Sequence, residues 1–290
     1  MKKVIYKYLN SLEIAGLAKH DGYPAIFLEQ APDDSDRGWE GIQYGRIIYG
    51  LNLKDDAERK VSGTMQIVMA YCIADNGYDH LLKNEVVLKK AFEHVFLSNQ
   101  DTTVSCVWRN TEPFHETVDG QDDTEVCGLI LSFDVYAFPK HTYKPLDPVN
   151  SLSKYIADNW NEKVTVINSA DLEEIWKPGA EDIVVYVRLD SLQPGTFPST
   201  AACTWQMAVM KVHVISESDN QSDQMIMELL QNLQEKERFR MNDGSPFFVN
   251  QLQYSTKLDV LRDGQVTVRG QYGKLTEIKD SQKMNGLNIN

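Results

Sequence analysis

The spacing of apolar residues changes several times along the chain, and the changes come in the same order in both halves. Spacing of three to four positions predicts amphipathic helices, and alternation at every second position predicts strands. The first half is predicted to hold a helix at 4–12, strands at 25–28, 46–53 and 65–73, a helix at 87–95, and strands at 104–108 and 126–138. The second half is predicted to hold a helix at 149–160, strands at 164–167, 183–189 and 204–215, a helix at 225–233, and strands at 247–261 and 265–271.

Short sequence signals also repeat between the halves. Lys7-Tyr8-Leu9 is matched by Lys154-Tyr155-Ile156, Ile47-Ile48-Tyr49 by Val184-Val185-Tyr186, Thr64-Met65-Gln66 by Thr204-Trp205-Gln206, and Asp119-Gly120-Gln121 by Asp263-Gly264-Gln265. The partners are separated by 137 to 147 residues. This period is too long for a solenoid repeat and indicates a duplicated domain. We therefore expect Tyr49 to superpose on Tyr186, and Gln66 on Gln206, within matching strands.

These elements predict an α+β fold made of two similar domains. Strands outnumber helices, and most neighbouring strands are joined too tightly for parallel crossovers, so we expect an antiparallel sheet with two helices packed on one face of each domain. The predicted boundaries are a first domain at 1–138, a stiff proline-rich linker at 139–148, a second domain at 149–275 and a polar C-terminal arm at 276–290. The arm is expected either to be disordered or to dock on a neighbouring molecule.

The net charge of the chain limits the classes of partner that it is expected to bind. The chain has 290 residues and a net charge of −13, and residues 1–144 account for −7 of it. A protein that is acidic throughout has no basic stripe to grip a phosphate backbone, so specific binding to nucleic acid is disfavoured. DNA sliding through an acidic channel would be repelled by its walls. No apolar run approaches the ~20 residues that span a bilayer, so no membrane partner is expected.

A search for catalytic motifs gives no site. Metalloprotease, phosphate-loop, dinucleotide and nucleophile-elbow motifs are absent, and the six histidines are scattered, with His94 predicted on a helix and His213 in a strand. Acidic clusters at residues 33–36 and 122–123 fit solvated loops better than calcium sites. The four cysteines, which lack a CxxC pair, are expected to be buried free thiols. The sequence therefore predicts no catalytic, cofactor-binding or metal-binding residues, no cofactor, and a protein that is not an enzyme.

The order of elements, with the loop Glu29-Gln30-Ala31-Pro32 and a strand that ends in Tyr49, resembles the tail-terminator and tail-completion (head–tail connector) proteins of tailed bacteriophages. Related components cap contractile injection systems. The segment Glu173-Glu174-Ile175-Trp176-Lys177-Pro178 is similar to a diverged form of the same loop. The resemblance covers residues 1–138 and 147–273.

The resemblance implies a structural virion protein that is assembled in the host cytoplasm and located in the tail or neck. Such proteins form a ring on the tail tube and join it to the head or neck, so the implied partners are copies of the chain itself, the tail-tube protein and neck or connector proteins. DNA would only pass through the lumen. A family copy has about half this length, so the duplicated chain implies a trimer of tandem copies or a hexamer with a second layer. The family has no catalytic residues to carry over.

Two other interpretations stay open. A pseudo-dimeric α+β enzyme or small-ligand-binding protein would place its site between the two halves. Another tail-tube or baseplate structural subunit would differ only in its position within the particle. Rings seen by electron microscopy would separate the assembly proteins from the enzyme.

Overall fold

The fold is described from a computed structural model. The structure describes residues 1–41, 43–54, 62–118, 124–140, 146–160, 164–168 and 171–275. The predicted turn at residues 119–121, the acidic pair at 122–123, residues 141–145 of the predicted linker and the predicted C-terminal arm lie outside the described residues.

The described residues contain four α-helices and fifteen strands. In chain order they are α1 (Lys2–Ser11), β1 (Lys19–His20), β2 (Tyr23–Pro24), β3 (Ile26–Leu28), β4 (Arg46–Leu53), β5 (Gly63–Cys72), α2 (Gly77–Phe92), β6 (Phe96–Ser98), β7 (Thr102–Val118), β8 (Thr124–Pro139), α3 (Pro148–Asn159), β9 (Val164–Val166), β10 (Ile175–Trp176), β11 (Ile183–Pro194), β12 (Cys203–Ile215), α4 (Asp219–Lys236), β13 (Arg238–Arg240), β14 (Pro246–Tyr254) and β15 (Val266–Leu275). The mixed α/β character expected from the sequence is confirmed.

The chain divides into two compact units. The first comprises residues 1–140, together with the later residues 170–182 and 261–263. The second comprises residues 141–169, 183–260 and 264–290. The segment that contains β10 therefore belongs to the first unit, although the sequence prediction placed it within the second domain.

The two larger sheets have the same strand order, except that the first sheet carries β10 as a seventh strand. The first runs β10-β6-β7-β8-β5-β4-β3, and the second runs β13-β14-β15-β12-β11-β9. Each sheet is antiparallel except at one edge, where β3 pairs with β4 and β9 pairs with β11 in parallel. The wholly antiparallel sheet predicted from the sequence is thus wrong at this edge. The connections, residues 29–45 and 167–182, are long enough for the chain to cross back and start a parallel strand.

Each unit buries its helices against its sheet in one apolar cluster. In the first unit, Ile5 and Leu9 of α1 share the core with Leu88 and Phe92 of α2. In the second unit, residues of α3 and α4 share a core with β11, β12, β14 and β15 in the same way. No helix in the described part of the chain is both long and apolar enough to cross a bilayer.

The repeated Lys-Tyr signal marks equivalent helix positions. Leu9 and Ile156 are both fully buried. The Tyr8 hydroxyl donates to the Ala91 carbonyl in α2, and the Tyr155 hydroxyl donates to the Asn232 side chain in α4. Both tyrosines thus tie the first helix of a unit to its second helix.

The other repeated signals do not occupy matching positions. Tyr49 lies in the first core, whereas the core residues of β11 are Ile183, Val185 and Val187, so Tyr186 faces away from that core. In β5 the core residues have odd numbers, and Gln66 is exposed. In β12 the core residues have even numbers and lie on the face of Gln206. Because successive side chains in a strand point to opposite faces, both expected superpositions are wrong.

Several element boundaries also differ from the prediction. The short strands β6 and β13 were missed, so each unit has three main-sheet strands after its second helix, to which the first unit adds β10. The turn at Asp263-Gly264 does not close a tight hairpin, because β14 ends at Tyr254 and the loop continues to Gln265. Gly264 supplies the positive φ of 74° that this loop needs.

Phe247 should be essential to the stability of the second unit. It is fully buried and its ring stacks on Phe239 at 4.7 Å and on Tyr272 at 6.1 Å. Phe247→Ala is expected to lower the free energy of unfolding by about 3–5 kcal/mol, because it leaves a cavity among these rings. Urea unfolding followed by tryptophan fluorescence measures the change. The control Leu275→Ala, at a side chain 75% exposed, should change stability by less than about 0.5 kcal/mol. Equal effects of the two substitutions would contradict this packing.

Candidate assembly interface

The outer edge of β6 is covered by a strand from much later in the sequence. Within the first unit, β10 pairs antiparallel with β6, and Ile175 lies opposite Leu97. The pairing extends one residue further, since the Ser98 amide donates to the Glu174 carbonyl at 2.9 Å. Backbone bonds of this kind satisfy groups that an edge strand otherwise leaves to water.

Side chains add to this pairing. The Trp176 and Phe96 rings lie 5.6 Å apart, and Ile175 packs against the first core. Lys7 of α1 pairs with Glu174 at 2.5 Å, with both side chains more than half exposed. An exposed ion pair is worth ~0–1 kcal/mol, so ring packing and backbone bonds contribute most of the attachment.

The hydrogen bonds of β6 show which of its backbone amides and carbonyls are available to bind β10. Asn99 donates to the Thr102 carbonyl of β7 at 3.0 Å, so the backbone groups of Asn99 and Leu97 face β7. Those of Phe96 and Ser98 face the opposite way. The Ser98 amide is the group that reaches Glu174. The outward groups of this short strand are therefore the docking groups.

The counterpart of β6 in the second sheet is β13. Met241 donates to the Ser245 carbonyl at 2.8 Å, so the backbone groups of Met241 and Phe239 face β14. Those of Arg238 and Arg240 face outward. Both arginine side chains are exposed, whereas Phe239 is buried. Within the described residues, β13 is the outermost strand of its sheet, and only β14 pairs with it.

The connection between β3 and β4 is acidic and folds against its own unit. The Asp34 carboxylate accepts from Arg46 at 2.7 Å and from the Tyr44 hydroxyl at 2.5 Å. Burial, followed by the bond to Asp34, raises the pKa of Tyr44 to about 12. The connection borders a groove of about 580 Å³. The groove is lined by Glu29, Gln30, Ala31, Pro32, Asp33, Asp34, Ser35, Arg46, Ile48 and Val118.

An aromatic cluster fixes the later part of this connection. The Trp39 ring lies 5.0 Å from His20 and 5.7 Å from Phe27. The Asp36 carboxylate accepts from the Gly38 amide at 2.7 Å and contacts His20 at 3.2 Å. These two bonds lower the pKa of Asp36. The carboxylates of Asp34 and Asp36 thus bind different protein donors and do not converge on one point.

The structure separates the histidines considered as candidate ligands. In the first unit, His20 contacts Asp36, His80 packs on Tyr71, and His94 follows α2. His115 is exposed on β7, and His213 is buried on β12. His141 lies outside the described residues. The predicted helical position of His94 is wrong, because α2 ends at Phe92 and His94 has a φ of 52°. Across the described ranges, no three His, Cys, Asp or Glu side chains lie together where they could hold a metal ion.

The cysteines are free thiols. Cys106 and Cys127 are buried, as expected, whereas Cys72 and Cys203 are partly exposed. Burial raises the pKa of Cys106 to about 12, so this thiol stays protonated at neutral pH. The Glu29 carboxylate forms an ion pair with the Lys2 ammonium.

His213 is a neutral structural residue. Its Nδ1 lies 2.6 Å from the Val260 carbonyl, and its Nε2 accepts from Arg188 at 3.2 Å. Burial, reinforced by the charges of Arg188 and Lys211, lowers the pKa of His213 to about 3. A ring held in this way joins β11, β12 and the loop before β15.

The first unit also exposes an apolar stripe on α2. Tyr78, Leu82 and Val86 follow one another at helical spacing and are 56%, 63% and 65% exposed. Nearby, the Lys89 ammonium lies 3.8 Å from the centre of the Trp108 ring. A stripe of this kind is typical of a surface that contacts another protein.

Comparison of the sequence with models of known protein families and with curated proteins gives no match in either case.

Trp176 should hold β10 on the edge of β6. Trp176→Ala removes the ring that packs on Phe96, so hydrogen exchange at the Ser98 amide is expected to become roughly tenfold faster. Hydrogen–deuterium exchange with mass spectrometry measures the rate at residues 96–98. The matched control Trp108→Ala removes a half-exposed ring from β7 and should leave the rate unchanged. Unchanged exchange in Trp176→Ala would show that the ring does not hold the strand.

His213 should make the protein sensitive to acid. In the unfolded chain a histidine has a pKa of about 6.5, above the folded value of about 3, so only the unfolded state takes up this proton as pH falls between them. Stability from this residue is therefore lost as pH falls below about 6.5. His213→Gln should reduce the loss in unfolding free energy between about pH 7.5 and about pH 5.5 by ~1 kcal/mol.

Urea titrations at the two pH values measure this difference, and the exposed His115→Gln serves as control. An NMR titration of the wild-type ring gives a second measurement that does not depend on the folding of a variant. Protonation of the folded His213 ring near its unfolded pKa would contradict the assignment.

Proposed function

We propose that the protein is a structural virion component, a tail-terminator or tail-completion protein that forms a ring on the tail tube and joins it to the head or neck. The observation that supports this function best is that one strand order occurs twice in the chain. On this proposal each unit is a copy of one α+β domain, with two helices on one face of a mainly antiparallel sheet. The duplicated chain then supplies two neighbouring positions of the ring.

Duplication suits a ring because ring contacts join unlike surfaces. In a closed ring the head of each domain meets the tail of the next, so every domain needs two different complementary faces. A tandem copy can make one such contact within the chain and leave the other for the next chain. The ring would be a trimer of tandem copies, or a hexamer with a second layer.

The charge of the chain fits a passage for DNA. The net charge of −13 is shared between the halves, and residues 1–144 carry −7 of it. DNA binding depends on Lys and Arg contacts that release counterions from phosphates, so an acidic lumen wall favours sliding over retention. The further partners on this proposal are the tail-tube protein and neck or connector proteins. Its place is the virion tail or neck, and it performs no catalysis.

Ring formation is the direct test. The purified full-length chain is expected to form particles of three or six chains in mass photometry, with a central opening in negative-stain electron microscopy. Dilution of the same sample serves as control, because particles held by specific contacts should dissociate into single chains.

Some rings close only on their tube, so the second measurement is a map of the assembled particle. It should place the chain as a ring at the end of the tube, with an acidic or neutral lumen. Single chains in both experiments, or a basic lumen that grips DNA phosphates, would contradict the proposed function.

A further inference from the structure

We propose that the outer edge of β13 binds residues 29–41 of a second copy of this chain, as the edge of β6 binds the segment that contains β10. This contact deepens the proposed function, since it rests on self-assembly. It names the two surfaces that meet, whatever particle the ring belongs to.

The two edges are equivalent in sheet position and in backbone direction. Both β6 and β13 are three-residue strands that follow the second helix of their unit. In each, the middle residue, Leu97 or Phe239, is buried in the core. In each, the flanking residues turn their amides and carbonyls outward. The groups that β10 engages on β6 therefore have counterparts on Arg238 and Arg240.

The two binding segments are also equivalent in topology. Residues 29–45 connect the parallel strands β3 and β4, and residues 167–182 connect the parallel strands β9 and β11. The second connection supplies β10 to the sheet edge of the first unit. The first connection packs beside its own sheet through Asp34 and Trp39. If the two copies of the domain use their connections alike, the first connection reaches the β13 edge of another chain.

Opposite charges favour residues 29–41 as the segment that binds the edge of β13. Residues 29–41 contain Glu29, Asp33, Asp34, Asp36 and Glu40 against the single base Arg37. The receiving strand exposes Arg238 and Arg240, where β6 offers Phe96 and Ser98. The edge of β13 is thus suited to an acidic segment.

A third basic residue lies on α3, the helix that contacts β13. Lys154 is exposed on α3 at the position that Lys7 has on α1, one residue before the tyrosine that ties the two helices. Lys7 pairs with Glu174 beside β10. Lys154 can therefore pair with an acidic residue of an incoming strand in the same way.

Strand addition gives this contact its geometry. An edge strand with outward amides and carbonyls binds an extended segment through main-chain hydrogen bonds, and side chains set the choice of partner. Opposite charges align the partners and like charges exclude wrong ones. The contact is heterologous, since a connection on one chain meets an edge on the next, so it can close a ring.

A charge swap in the full-length chain tests the contact. Arg238→Glu combined with Arg240→Glu should weaken self-association by roughly 100-fold, because like charges then face each other. Asp33→Arg combined with Glu40→Arg should weaken it similarly, and leaves the Asp34 and Asp36 bonds in place. The control Lys257→Glu combined with Lys274→Glu alters exposed side chains of the second unit and matches the change in net charge of the Arg238/Arg240 variant. This control should associate as the wild type does.

The decisive sample is an equimolar mixture of the two charge-swapped variants, measured by sedimentation velocity. In an alternating assembly the acidic edge of one variant meets the introduced arginines of the other, and the native basic edge meets the native acidic segment, so association should return although each variant alone associates weakly. Circular dichroism of each variant is the control for folding and is expected to match that of the wild type. Wild-type association in the Arg238/Arg240 variant, a mixture that stays dissociated, or a wild-type chain that is always monomeric would overturn the proposal.

These outcomes separate the contact from the proposed function. Rings that persist in the Arg238/Arg240 variant would reject this interface and leave the ring function standing. Association of the wild type into open filaments or simple dimers, lost in the Arg238/Arg240 variant, would support the interface and reject the ring.

Discussion

Backbone hydrogen bonding at the outer strand of each sheet constrains this molecule more than any single side chain does. A strand at an edge exposes amides and carbonyls that must find water or another strand. The first sheet covers its β6 edge with β10, whose Trp176 ring packs on Phe96, and the adjacent Glu174 pairs with Lys7. Among the described strands, the second sheet ends at β13, which exposes two arginines. The equivalent edge is therefore paired with another strand in the first sheet and exposes arginine side chains in the second.

The two units keep a common arrangement with different side chains. The tyrosine on the first helix donates to a carbonyl in α2 in one unit and to an asparagine side chain in α4 in the other. In the first unit Asn84 is buried and bonds the Tyr71 hydroxyl at 2.8 Å, whereas residues of α4 such as Met225 and Leu229 complete an apolar core. Core composition can change in this way as long as the helices still cover one face of the sheet.

The sequence was informative where its signal extends over several turns or alternations. The helices with Leu9 and Ile156 and the long strands β5 and β12 follow directly from their periodicity. Strands of two or three residues, such as β6, β10 and β13, are too short for a period to be seen. The Tyr49 and Tyr186 match failed because one residue of slip moves a side chain to the opposite face. The candidate interface was not predicted, because no local sequence pattern indicates that Ile175 pairs with Leu97, which lies far away in the sequence.

The attachment of β10 has a kinetic consequence. Because β10 and β6 lie on one chain, their pairing is intramolecular, and its effective concentration is set by the intervening residues and not by the amount of protein in the cell. In the proposed ring, a chain that carries this contact from the time it folds needs fewer diffusional encounters to complete the oligomer than two separate domains would. Nucleation of the proposed ring should therefore depend on protein concentration with a lower order.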